Sequence, residues 1–332
     1  MAIGSITRDQ ANAGNITTVT IRDAMRRLVD DMSGGLQRSS SRPWIWVICS
    51  LAAIFVLFVR PLSYLTRLAL SDENVSHVLL VPFLVAWALR VDCRRIFRDS
   101  AFDSTAAVPF VICAIGSTAS AYHMNDSSDA LSYQILGFVF ACIAVFALSF
   151  GRRVLREGAF AFLLLFLLVP WPSYILTKVV SYLQVGSAGI AAAIFYVSGV
   201  PVLREGLVFH LTRATIEVAP ECSGIRSSMA LLILALLVSH FAFRPLWKKL
   251  LFVAVGLLVM IIKNGTRIAT LTLLANYVDP GFLFGRLQRQ GGVVFFLLGL
   301  ALLVPVYWLL RRGEKPPRVS ISVGALQHAG DS

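Results

Sequence analysis

An all-α fold, a polytopic bundle of about eight transmembrane helices, is what this sequence predicts, and three observations predict it. The 332 residues are 57% hydrophobic and only 14% charged, with mean hydropathy +0.75, too apolar for a water-soluble domain. Several apolar runs approach the ~20 residues that span a bilayer. The cations fall in short clusters between those runs, which gives the net charge of +12 the pattern of topology signals and anionic-lipid contacts. No basic groove or nucleic-acid motif accompanies that charge, which excludes a nucleic-acid partner. Cys49, Cys93, Cys113, Cys142 and Cys222 are scattered without C-x-x-C spacing, and three lie inside apolar runs, so neither a disulfide framework nor a metal site is predicted.

Residues 1–43 form a polar tail with six arginines ahead of any apolar run, so no signal peptide is predicted and the tail is expected in the cytosol. Within it, Ile21, Ala24, Met25, Leu28, Val29 and Met32 recur at the spacing of a short amphipathic helix. The membrane domain is expected over 44–311, with spans at 44–60, 75–91, 105–122, 131–150, 158–176, 225–243, 249–275 and 293–310. A cytosolic tail without regular structure follows at 312–332.

The stretch Lys178–Gly199 is apolar but interrupted by Ser181, Gln184, Gly186, Ser187 and Gly189. Charge arbitrates its place. If it does not cross, one side receives the six tail arginines, four cations in Arg90–Arg98, three in Arg152–Arg156, three in Arg244–Lys249 and four in Arg311–Arg318, twenty of the thirty Lys and Arg. The other side holds seven. The positive-inside rule prefers that split, so 178–199 is read as a re-entrant or interfacial helix on the outer face. Leu207–Leu211 and Thr215–Val218 lean to β structure and predict a short hairpin-like segment beyond it.

That hairpin leads into Ala219-Pro-Glu-Cys-Ser-Gly-Ile-Arg-Ser-Ser228. Pro220, Ser223 and Gly224 suit a turn entering a helix, which places Cys222 at or within the first turn, on the outer side. There the free N–H groups and the positive end of the helix dipole favour thiolate over thiol, and Arg226 adds a cation four residues on. A second polar island, Lys263-Asn264-Gly265-Thr266-Arg267, lies inside the span 249–275. Charges inside a span are costly and mark functional sites by default. Arg267 falls in the outer half of its helix, where it is expected to meet Cys222, while Lys263 is expected to snorkel. His77 opens the second span at its outer end. His123, Asp126 and Asp129 share one outer loop and make only a weak metal set.

In these elements the chain resembles the exosortase/archaeosortase family of polytopic membrane cysteine transpeptidases. The matching features, in order, are Ser76-His77 with Pro82, Pro170-Trp-Pro172, Glu217-Val-Ala-Pro-Glu-Cys-Ser-Gly-Ile-Arg-Ser227 and Asn264-Gly-Thr-Arg267-Ile268. The resemblance implies that Cys222 is the nucleophile and Arg267 an essential cation, with Arg226 supporting the thiolate. In the family a histidine follows in a His-x-x-x-Gly pattern; here Gln288 stands at that position, and glutamine does not exchange a proton near neutral pH. Arg286 or Arg289 is then the alternative cation and His77 the alternative acid. No cofactor is implied. The implied partners are proteins anchored by a C-terminal sorting signal (PEP-CTERM-like: a short motif, a transmembrane helix and a basic cluster), processed at the periplasmic face of a bacterial inner membrane in association with exopolysaccharide. The competing class is a non-enzymatic membrane protein, either a component of polysaccharide export or a small-solute transporter, for which the inverted repeat common in transporters is not seen.

Overall fold

The structure, a computed structural model, describes residues 42–72, 75–97, 103–211, 215–219, 225–279, 281 and 292–312. The amphipathic stretch 21–32 and the C-terminal tail lie outside the described residues. Helix α1 (Arg42–Leu57) and helix α2 (Val59–Ser71) meet at a bend of 72°. Pro61 explains it: proline has no N–H for the carbonyl of Leu57, and its ring crowds that carbonyl. A 3₁₀ turn, Ser76–Leu79, leads into α3 (Val81–Val91), whose Pro82 sits in the first turn, where its missing N–H costs nothing.

Helix α4 (Ser104–Ala121) opens on Asp103, whose carboxylate accepts the N–H groups of Thr105 and Ala106. It packs against α5 (Ser127–Glu157) through Gly137, where a Cβ would come within 2.3 Å of Thr118 Oγ1 and 3.1 Å of the Ala114 carbonyl. Asp126 caps α5 in the same way as Asp103 caps α4, and Gly151 kinks it with a positive φ of 75° just past the expected span 131–150. Helix α6 (Ala159–Leu165) continues as a 3₁₀ turn to Leu168 and stops.

Residues 158–176 are therefore not one helix. Pro170 and Pro172 cannot donate to a helical ladder, and the chain is extended at Val169 and Pro172 before α7 (Ser173–Val197) begins. Helix α7 is continuous over 25 residues, so Gly186 and Gly189 do not interrupt it. The polar residues that look like breaks in the sequence face a partner instead: Gln184 and Ser187 are buried, and the bare Gly186 faces Ile261.

The β segment holds three strands, one more than expected: β1 (Leu203–Glu205), β2 (Val208–His210) and β3 (Thr215–Glu217), antiparallel in that order. Glu205 pairs with Val208 across a two-residue turn, and Gly206 supplies the positive φ that a type II′ turn needs at its first central residue. Helices α8 (Ile225–Ala242), α9 (Leu246–Tyr277) and α10 (Gly292–Arg311) complete the fold.

The protein is a mostly helical, polytopic bundle. Among the described residues four helices (α4, α5, α7 and α10) are long and apolar enough to cross a membrane, or five if the bent pair α1–α2 is one span. Their exposed apolar side chains, such as Ile112 and Ile115 on α4, suit a surface solvated by lipid. Four interior clusters hold the bundle. One joins α1, α2, α3, α5 and α6, a second joins α8, α9 and α10 around Leu231, Phe243, Phe252 and Leu303, a third packs α7 and the strands on α9 through Ala188, Phe195, Phe209, Val218 and Ile268, and a small fourth seats α4 on α5 through Ala106, Ala107 and Ala147.

Candidate active site

Helix α9 is a regular apolar helix until Lys263, and then turns a polar face inward. Lys263 is 1% exposed and Asn264 2%. Lys263 therefore does not snorkel to an interface: its ammonium Nζ donates to the hydroxyl of Ser227, in the first turn of α8. Room for the lysine stem comes from Gly299 of α10, where a Cβ would lie 3.3 Å from Lys263 Cδ. Asn264 Nδ2 donates to Ser187 Oγ at 3.0 Å, a bond between fully buried side chains of α9 and α7. Gly265 permits it, because a Cβ there would sit 2.7 Å from the Ser187 carbonyl and 2.5 Å from Ile190 Cβ. Two small positions, Gly186 and Gly265, thus let α7 and α9 approach closely enough for the polar pair to meet.

One turn beyond Lys263, Arg267 is half-buried on the same helix. On α7, one turn before Ser187, Gln184 Nε2 donates to the Val218 carbonyl at 2.7 Å. Val218 follows β3 and Ser227 lies in the first turn of α8, so described residues on either side of the Cys222 stretch are both tied to the α7–α9 polar cluster. The hydroxyls of Ser228, next to Ser227 on α8, and of Thr272, five residues beyond Arg267 on α9, are buried with no hydrogen-bond partner among the described residues.

Cys222, Arg286, Gln288 and Arg289 lie outside the described residues, as does the side chain of Arg226. Of the other residues singled out from the sequence, His77 is half-buried in the 3₁₀ turn before α3, where its neighbours Val78 and Val81 belong to the cluster of the first six helices. Arg267 belongs to the helix that packs on α7, α8 and α10. Asp126 and Asp129 serve as helix caps. Asp129 accepts the N–H and the hydroxyl of Ser173, at 2.7 and 2.8 Å, and so caps α7 from α5. No group of three or more His, Cys, Asp or Glu suited to a metal occurs among the described residues. Gln184 and Ser187 were not recognisable as site residues in the sequence. Their signal was a polar residue inside an apolar run, without any indication of which partner it faces.

Fold and site together define a polytopic membrane protein with a buried polar cluster among its last four helices and a small β segment over it. The chain belongs to the transmembrane exosortases: the family model described as Transmembrane exosortase (Exosortase_EpsH) matches residues 65–305. The matched region includes every residue named above as part of the site. No curated protein and no solved structure matches the chain. Membership carries a membrane transpeptidase-type role in general terms.

Proposed function

We propose that the protein is a cysteine transpeptidase that cuts and transfers membrane-anchored proteins bearing a C-terminal sorting signal of the PEP-CTERM-like kind, at the periplasmic face of a bacterial inner membrane. One observation carries this reading: Gln184 and Lys263 tether Val218 and Ser227, the residues that flank the Cys222 stretch, to the buried cluster that also presents Arg267. Cys222, as thiolate, attacks the carbonyl carbon of the scissile peptide bond. The tetrahedral intermediate then collapses to a thioester, which an amine or water resolves. Arg267 stabilises the thiolate or the oxyanion, in a setting where a fixed cation counts for more than in water. Arg226 supports the thiolate, and Arg286 or Arg289 is a further cation near Gln288, which offers only a neutral hydrogen bond.

Eight crossings accompany this reading, with 158–173 crossing as a broken helix. Three contacts along that segment support it. Phe160 stacks on His240 at 3.7 Å, Phe166 meets Phe140 midway along α5, and Ser173 is bonded to Asp126 and Asp129 at the start of α5. Helix α7 then runs from that outer end toward the site, and the strands lie outside. An impermeant thiol reagent should label a Glu205→Cys variant in intact cells. Ser187 is fully buried and unsuited to that test.

The direct test is co-expression with a reporter that ends in a short motif, an apolar helix and a basic cluster. The wild-type chain should shorten the reporter, Cys222→Ala and Arg267→Ala should leave it full length, and Cys49→Ser and Cys113→Ser should process it normally. Shortening by Cys222→Ala at the wild-type rate overturns the reading and favours the non-enzymatic class.

A further inference from the structure

Helix α4 packs mainly on α5, and its remaining surface carries the exposed side chains of Val108, Val111, Ile112 and Ile115. These side chains face an apolar slot of about 910 Å³ that has α4 on one side and α5 as its floor. The lining follows α4 from Ser104 to Tyr122, a length of ~27 Å at 1.5 Å per residue. Helix α1 adds only Ile54 and Leu57 from its last turn, with Phe58 just beyond them, where Phe58 packs on Phe138 of α5 at 5.8 Å. The slot therefore has two walls only over the half nearer the α1–α2 bend. That half is about as deep as one leaflet of a ~30 Å hydrocarbon core. At the bend the slot opens into a second cavity of about 630 Å³, which shares Leu57, Phe58, Thr118 and Tyr122 with it. Here the lining turns polar, with Arg60 and Tyr64 from α2 and Ser127 and Gln134 from α5. Arg60 is exposed, and among the described residues no carboxylate pairs with its guanidinium. Asp126 and Asp129 flank Ser127 in sequence, but their carboxylates are occupied by Ser128 and Ser173 and line neither cavity. Arg60 is also one of the seven cations on the cation-poor side, so the charge rule for topology does not account for it.

We propose that the two cavities together bind one anionic phospholipid, with its phosphate on Arg60 and an acyl chain running down the slot between α4 and the end of α1. The lipid belongs to the leaflet at the α1–α2 bend, the outer one in the topology given above. An amphiphile uses both halves of the arrangement. Arg60 supplies the charge-assisted bond to a phosphate oxygen, and the Tyr64 and Ser127 hydroxyls and the Gln134 amide are further donors around it. The shaft below offers an acyl chain almost nothing but apolar side chains. A free anion would use Arg60 and leave the shaft empty. A partner's transmembrane helix, ~10 Å across, would need walls through the full depth, and the slot has a single wall below Ile54. The lipid is a bound component and takes part in no reaction. It gives α4 a second neighbour and fills the wedge under the 72° bend, so it stabilises the first half of the bundle by mass action. Nothing in this depends on which residue is the nucleophile.

The test uses the full chain, purified in a non-ionic detergent and stripped of lipid. Thermal unfolding followed by circular dichroism is measured against added phosphatidylglycerol, phosphatidylcholine with the same chains, or inorganic phosphate. Phosphatidylglycerol should raise the midpoint until it saturates, phosphatidylcholine should do so far less, and inorganic phosphate should leave it unchanged. Arg60→Gln should weaken the phosphatidylglycerol titration about tenfold through loss of one charge-assisted contact, and Arg60→Lys should keep most of it. Ala119→Trp, which fills the slot from α4, should abolish the shift with Arg60 in place. Both positions are exposed, and the spectrum before heating verifies that each variant is folded. Native mass spectrometry should find one phospholipid on the wild-type chain before stripping and none on Ala119→Trp. Equal shifts from phosphatidylcholine and phosphatidylglycerol overturn the inference, as does a shift from inorganic phosphate alone. So does Arg60→Gln or Ala119→Trp titrating like the wild type. A midpoint that responds to an added apolar transmembrane peptide and not to phosphatidylglycerol overturns it too, and gives the slot to a helix.

Discussion

The first six helices and the last four are built by different rules. Helices α1 to α6 enclose interiors of Val, Leu, Ile, Phe and Ala, and their two buried hydroxyls, Ser117 and Ser132, bond carbonyls of their own helix one turn back. From α7 onward the interior holds Gln184, Ser187, Ser228, Ser239, Lys263, Asn264, Thr272 and Asn276, eight of the ten buried polar residues among those described. Several of these bonds run between helices, as Ser187–Asn264 and Lys263–Ser227 do. A membrane interior gives no hydrophobic drive for helices to associate, so buried polar groups there are retained at a cost. The proposed function puts the chemistry in the second part and leaves support to the first.

Two glycines sharpen that contrast most. Gly265→Ala places a methyl against Ile190 and the Ser187 carbonyl, and the helix backbones must part. It should destabilise the protein by about 1–3 kcal/mol and abolish reporter processing. Gly116 of α4 has nothing within 4 Å of its would-be Cβ, so Gly116→Ala should leave processing intact and raise stability by up to ~1 kcal/mol. Unfolding in denaturant followed by circular dichroism reads both. Equal losses would erase the distinction between the halves.

Hydroxyl deletions come next in size. Ser187→Ala removes the hydroxyl that accepts from the buried Asn264 amide and should cost about 1–3 kcal/mol. Ser117→Ala removes only bonds to the carbonyls of Cys113 and Ala114 in the same helix and should stay within about 0.5 kcal/mol. A double-mutant cycle over Ser187 and Asn264 should show coupling that no pair around Ser117 shows.

The smallest effect is expected at the surface. The Ser128 backbone N–H, then the Ser128 hydroxyl, hold the Asp126 carboxyl below its ordinary value, with the Ser173 hydroxyl adding to them. A carboxyl depressed in the folded state contributes stability that is present above its unfolded value and lost as pH falls through the lowered folded one. Thermal stability should therefore decline on acidification through the carboxylate range, slightly less so in Asp126→Asn, and unchanged pH dependence in that variant would remove the cap from the account.

Much of this was legible in the sequence. Hydropathy located the apolar segments, because lipid solvation requires such runs, and the β-leaning runs before Cys222 located two of the three strands. The break at Pro170-Trp171-Pro172 was hidden because the residues on both sides are apolar enough to read as one span, and hydropathy does not register a missing N–H. Gln184 and Ser187 read as interruptions for a related reason: a polar residue shows its cost in sequence, while its partner 34 or 77 positions away appears only in the fold. Lys263 followed the same pattern. Its depth in the bundle depends on Gly299 of another helix, which no local signal announces.

The central claim is that Cys222 meets the polar turn of α9. Disulfide trapping tests it most directly, since a bridge forms only when the two Cα atoms come within about 4.4–6.8 Å, or slightly beyond with backbone movement. In a chain whose other cysteines are removed, mild oxidation should join Cys222 to a cysteine placed at position 267 through Arg267→Cys, with little or no bridge from His77→Cys. Efficient bridging from position 77 and none from 267 would contradict the account and move the site to the first half of the molecule.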